Sequence, residues 1–148
     1  MSNSYNDYHT DYIAEMTEPQ KIVFLKIMAY LAACNHTLNS DEEKELQDVA
    51  FLFNIPQSRL PEITTPTDAK TLIEEAKVIT SRKVALHLIK EACLLANLDG
   101  DFSEDEISFI GNLGQALGIE LEKVEQISQW VIDRLIWLEE EKIIFETN

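Results

Sequence analysis

Glycine, proline and cysteine are all scarce in this sequence of 148 residues. Four glycines and four prolines suit helices that are joined by short connections. The two cysteines, Cys34 and Cys93, lie in separate apolar runs, and no second cysteine or histidine stands at a zinc-ligand spacing from either. We therefore expect two reduced core residues in a cytoplasmic protein.

Basic residues are also few. Lysine and arginine total 12 against 27 acidic residues, which gives a net charge of −15 and a pI near 4.4. Such a chain lacks the cations that contact phosphate, so we expect no binding to nucleic acid or anionic lipid. No stretch approaches the about 18 consecutive apolar residues of a membrane span. Residues 1–7 have neither the basic region nor the apolar core of a signal peptide, and we expect a cytoplasmic location without membrane insertion.

What the sequence has instead is helical periodicity, with 45% apolar residues. The first predicted segment is an N-terminal extension or docking helix over 1–18, with Tyr5, Tyr8, Tyr12 and Met16 on one face. It is followed by a helix that begins at Thr17, a helix capped by Ser40 with Glu43, and a short helix or turn over 56–63. The second half is predicted to contain a helix from Asp68 to about Thr80, a helix over 84–96, a helix capped by Ser103 with Glu106, and a long helix over about 121–141. Residues 64–68 form a linker too short to separate two domains. We predict one all-α domain, residues 1–148, with about seven helices.

The two halves of the chain resemble each other at an offset of 64 residues. Lys26 aligns with Lys90, and Ala32 with Ala96. Few positions are identical, but apolar positions match apolar positions across some forty residues. The sequence therefore predicts two tandem helical repeats, at about 19–64 and about 81–128, in which the two apolar helices are central.

A short acidic turn precedes the helix that Ser103 caps. Against the calcium loop of an EF-hand, Asp99 falls at position 5, Gly100 at 6 and Glu106 at 12, but position 1 is the apolar Leu95. The loss of that carboxylate excludes an EF-hand.

Two interpretations of the turn remain open. In one, Gly100 supplies a positive φ and the acidic residues favour the helix N-terminus, without any ligand. In the other, Asp99, Asp101 and Glu106 bind a divalent cation, with Ca²⁺ the first candidate. Asp105, and Asp41 and Glu42 of the first half, are secondary candidates.

The C-terminal helix also allows two interpretations. Val124, Ile127, Val131, Leu135 and Leu138 share one face, and Trp130 and Trp137 lie beside it. The helix is either buried between two neighbours or presents a protein–protein interface. No phosphate loop, HExxH or nucleophile–base spacing is visible, so we expect no enzyme. His87, in an apolar helix, is interpreted as a packed core residue.

The segment from Ala96 to Glu106, an apolar helix end followed by Asp-Gly-x-apolar-Ser-x-x-Glu, together with Leu117-Gly118-Ile119, resembles the TerB-like family of tellurite-resistance proteins. The resemblance implies an all-α bundle of about seven helices, a cytoplasmic location, and acidic residues that bind divalent metal. It also implies a non-catalytic role in tellurite or stress resistance through protein partners. The alternative is a structural or protein-interaction module without metal, which could form a homo-oligomer.

Overall fold

The computed structural model describes residues 11–33, 37–97 and 103–146, and within these ranges the chain is helical and has no strand. The α-helices are α1 (Glu18–Ala32), α2 (Ser40–Leu52), α3 (Leu60–Thr64), α4 (Ala69–Ala76), α5 (Arg82–Asn97), α6 (Glu104–Ala116) and α7 (Leu121–Ile144). Two short 3-10 helices cover Asp11–Glu15 and Gln57–Arg59. The prediction of an all-α fold with about seven helices is confirmed. None of the helices in these ranges is long and apolar enough to cross a bilayer.

The core forms around α1 and α5, which pack against each other. Phe24, Leu25 and Ile27 of α1 are buried, as are Leu88 and Ile89 of α5. Helices α2, α3 and α4 pack on α1, whereas α6 and α7 pack on α5, and α4 also contacts α6. The two most apolar helices therefore take the centre because they bury the largest apolar surface.

The predicted cap of α2 was wrong by one residue. Asn39, not Ser40, is the cap: its Oδ1 accepts from the Glu42 N–H at 2.9 Å, and Glu42 Oε1 accepts from the Asn39 N–H at 2.9 Å. Asn and Ser are about equally good caps. With Asn39 as the cap, the preceding residue is the apolar Leu38, which packs partly buried against the core.

Helix α4 ends at Ala76 rather than near Thr80. The N–H groups of Lys77, Val78 and Ile79 bond to carbonyls three residues back, so the helix tightens into a turn. This turn brings Ile79, which is 5% exposed, onto the core. At the other end of the chain, α7 continues to Ile144, beyond the predicted end near residue 141.

Two helices in the first half of the chain begin 64 positions before two helices in the second half. Helices α1 and α5 begin at Glu18 and Arg82, 64 positions apart, and α2 and α6 both have 13 residues. Two residues after the end of each of α2 and α6 lies a residue with left-handed backbone, Asn54 (φ 59°) and Gly118 (φ 74°). The next N–H then bonds back five residues, at 3.0 Å after Asn54 and 2.9 Å after Gly118.

The N-terminal 3-10 helix lies on α5. Tyr12 is buried and stacks on His87 with 4.3 Å between ring centroids. Lys83 Nζ lies 2.8 Å from Asp11 and 2.9 Å from Glu15. Met16 is buried as well, while Tyr5 and Tyr8 of the predicted aromatic face lie outside the described residues.

Candidate functional site

The acidic turn connects α5 to α6. Helix α5 ends at Asn97, whose side-chain amide donates to the Cys93 carbonyl at 2.7 Å. Asp99 and Asp101, the first two predicted metal ligands, lie outside the described residues. The structure therefore reports on the third, Glu106, and on its neighbour Asp105.

Glu106 is a buried acidic residue, only 8% exposed, in the first turn of α6. Its Oε1 accepts from the Ser103 N–H at 3.1 Å and from the Ser103 hydroxyl at 2.9 Å. Ser103 Oγ in turn accepts from the Glu106 N–H at 3.2 Å. This reciprocal capping box was predicted, and it gives Glu106 a structural role at the helix start.

The secondary candidates occupy similar positions. Asp105 is exposed on the first turn of α6, and Asp41 is exposed on the first turn of α2. Glu42 completes the capping box of α2. In the part of the chain that the structure describes, no three His, Cys, Asp or Glu side chains come close enough to hold a metal ion.

A cleft of about 660 Å³ lies between α1, α2, α3, α4 and α6, and the sequence did not predict it. Ile63, Leu72 and Phe109 give it an apolar floor, and Tyr30 packs on Phe109 with 4.5 Å between ring centroids. Its volume is in the range of small-molecule sites. Residues 65–67 of the predicted linker form one wall, so a segment interpreted as a connection also shapes a cavity.

Charged side chains surround this cleft. Lys26 Nζ bonds to Glu75 Oε1 at 2.7 Å, and the Lys26 side chain is 16% exposed. Glu43 and Asp105 contribute carboxylates from α2 and α6. The one signal in the sequence was Lys26 itself, a single charge in the middle of an apolar helix.

Cys93 lies deep in the core. It is fully buried, and burial raises the pKa of its thiol to about 11, against a smaller opposing effect of a hydrogen bond with Ser128. The thiol is therefore protonated at neutral pH, as expected for a packing residue. Cys34 lies outside the described residues.

Half of the twelve exposed large apolar residues of the described chain lie at the end of α7. Val124 and Val131 are buried, but every residue from 136 to 146 is exposed. Six of these eleven are large and apolar: Ile136, Trp137, Leu138, Ile143, Ile144 and Phe145. The interpretation of α7 as a helix buried between two neighbours is wrong for this part, because the helix continues beyond the bundle. We call residues 136–146 the projecting end.

Models of protein families, curated proteins and solved structures were all compared with this chain, and none of them matches it.

Proposed function

We propose that this protein is a non-catalytic binding module that holds a protein partner against the projecting end of α7. The observation that supports this is the exposure of Trp137 (64%) and Ile144 (69%) on α7 and of Phe145 (74%) at its C-cap. Exposed apolar side chains that are contiguous mark interaction surfaces, and tryptophan is a frequent anchor there.

The charges on the projecting end support the same proposal. Glu139, Glu140 and Glu141 lie near the C-terminus of α7, where the helix dipole disfavours negative charge. A helix end of about three turns without tertiary contacts is also only marginally stable in water. A bound partner would supply the packing that this end lacks.

Site-specific photo-crosslinking in the native cell tests the proposal. A photoreactive phenylalanine analogue replaces Trp137 and, in a matched control, Glu125, which is exposed on the polar part of the same helix. We expect a discrete adduct from position 137 and none from position 125. Equal labelling at both positions, or no adduct at 137, would contradict the proposal.

A second proposal follows from the TerB-like resemblance: Asp99, Asp101 and Glu106 bind a divalent cation, and the module acts in a cytoplasmic stress response such as tellurite resistance. The burial of Glu106 favours it, because a buried carboxylate gains from a paired cation. Ser103 bonds to Oε1, so Oε2 is the oxygen that would face the ion. We further propose that α1–α2 and α5–α6 are two tandem copies of one unit, which the spacing of 64 residues supports.

Titration calorimetry with Ca²⁺, Mg²⁺ and Zn²⁺ tests the metal proposal. Glu106→Gln removes the charge but keeps the capping box, since glutamine also serves at that position. Glu104→Gln, the same change at an exposed residue in the same helix turn, is the matched control. We expect the binding heat to disappear in Glu106→Gln and in Asp99→Asn but not in Glu104→Gln. Unchanged heats in all three variants would refute metal binding at this turn.

A further inference from the structure

Two apolar rows run along the second half of α7 with a period of seven residues. Trp130, Trp137 and Ile144 form one row, and Leu138 and Phe145 form the other. Seven residues make nearly two turns, so each row stays on one side of the helix. Arg134 and Glu141, also seven apart, lie between the rows. We call this surface, residues 130–145, the α7 stripe.

The two charges in the middle of the stripe restrict what can cover it. Arg134 lies over the Trp130 ring, with 5.9 Å from Cζ to the ring centroid, and forms no ion pair with the described residues. A wholly apolar partner would bury both charges unpaired, which is costly. A partner that fits must place a carboxylate opposite Arg134 and a cation opposite Glu141.

A second copy of the same stripe, laid antiparallel, meets both requirements. A twofold axis that passes between Trp137 and Leu138 places each Arg134 level with the other copy's Glu141. The same axis places Trp137 level with Leu138 of the other copy, and Trp130 level with Phe145, so the two apolar rows interdigitate. In a parallel pair, by contrast, Arg134 would face Arg134, and like charges at the centre of an interface disfavour that arrangement.

The available area agrees with a dimer. Trp130, Trp137 and Phe145 are 46%, 64% and 74% exposed. At about 150–250 Å² for each aromatic side chain, they alone offer about 300–450 Å² per copy. Ile144 and Leu138 add to this, which brings the total for two copies close to the about 1,200 Å² at the lower end of specific interfaces.

The shape of the molecule leaves room for this pairing. Residues 136–144 continue the helix by about 13 Å beyond Leu135, the last partly buried residue of α7. Each projecting end would therefore lie along the Trp130–Arg134 segment of the other copy. We propose that the partner of the α7 stripe is a second copy of this chain, in an antiparallel twofold helix pair. This inference rests on the proposed function and identifies the partner.

Charge-swap variants of the full chain, measured by sedimentation equilibrium, test the pairing. We expect wild type to dimerise and Arg134→Glu or Glu141→Arg alone to raise the dimer Kd at least about tenfold. A mixture of the two single variants should dimerise with a Kd close to that of wild type, because the glutamate introduced at position 134 of one copy then faces the arginine introduced at position 141 of the other. The double variant should also dimerise with such a Kd, since it contains the same complementary pairs. The matched control is Glu125→Arg, the same charge change on the same helix outside the stripe, and its Kd should equal that of wild type.

Each result bears on the pairing. Wild type that stays monomeric up to about 1 mM overturns it. So do single variants that dimerise as wild type does, or a mixture that fails to recover. If wild type is monomeric but the crosslink at position 137 captures a chain of another mass, the proposed function stands and the second-copy inference fails. Circular dichroism of each variant checks that the helical fold is intact.

Discussion

Gly114 allows a sharp test of the packing between α6 and α7. It is buried, and a Cβ built on it would lie 2.7 Å from Val124 Cγ2, closer than real Cβ contacts. Val124 is buried and β-branched, so its side chain has essentially one rotamer in a helix and cannot turn away. Overpacking of this kind costs about 1–3 kcal/mol, whereas alanine gains about 1 kcal/mol of helix propensity over glycine. We expect Gly114→Ala to lower the free energy of unfolding by up to about 2 kcal/mol.

Gly111, three residues earlier in the same helix, is the matched control. A Cβ there meets nothing within 4 Å, so Gly111→Ala should raise the free energy of unfolding by up to about 1 kcal/mol. Urea denaturation followed by far-UV circular dichroism measures both variants. In the double variant Gly114→Ala/Val124→Ala the close contact is absent. Its free energy of unfolding should therefore be about 1–3 kcal/mol higher than the sum of the two single changes predicts. If Gly114→Ala is as stable as Gly111→Ala, or the pair shows no coupling, the close contact is not real.

Three further predictions concern turns, caps and the N-terminus. Asn54 and Gly118 both have left-handed backbone, which glycine adopts at the lowest cost. In urea denaturation, Asn54→Gly should therefore raise the free energy of unfolding by about 1 kcal/mol, and Gly118→Ala should lower it by about 1 kcal/mol. A change of the same sign in both variants would contradict this prediction. Ser103→Ala removes the cap of α6 and should lower the free energy of unfolding by about 1 kcal/mol. An unchanged free energy of unfolding would contradict this prediction. A hydrogen bond from Lys83 lowers the pKa of Asp11 below its ordinary value of 3.8. The contact therefore stabilises the docked N-terminal 3-10 helix fully at pH values above 3.8, and this contribution is lost as the pH falls through the lowered pKa. Hydrogen bonds to Asp11 and Glu15 raise the pKa of Lys83 from 10.5 to about 12, so its contribution is complete below 10.5 and is lost as pH rises through about 12. NMR of the Tyr12 ring should report both losses, and a signal that is constant with pH would contradict them.

The local rules of helix formation predicted most of the fold. The cap of α6 was identified correctly from the spacing of Ser103 and Glu106. At α2 the pairs Asn39/Glu42 and Ser40/Glu43 satisfy the same rule. The local pattern does not distinguish the two pairs, and in the structure Asn39 is the cap while Leu38 packs against the core.

The candidate sites were less predictable than the fold. The capping role of Glu106 followed from spacing, but its burial depends on the helices around the start of α6. The cleft required α4 to approach α6, a contact between the two halves of the chain. Tyr30 and Phe109, which pack together there, are 79 positions apart and have no shared pattern in the sequence. Cavities arise from how elements meet, so periodicity within each element does not predict them.

The exposure of the α7 stripe follows from a difference in helix length. Helix α5, against which α7 packs, has 16 residues, whereas α7 has 24, a difference of about 12 Å along the axis. The row through Val124 and Val131 packs on the chain's own core, but Leu138, seven residues further along it, is 37% exposed. Sequence periodicity does not distinguish an apolar row that packs on the core of its own chain from one that packs on another molecule, since both need the same residue spacing. Arg134 and Glu141 do separate them, because a charge pair in the centre of an apolar stripe fits a partner that pairs both charges and does not fit a purely apolar core.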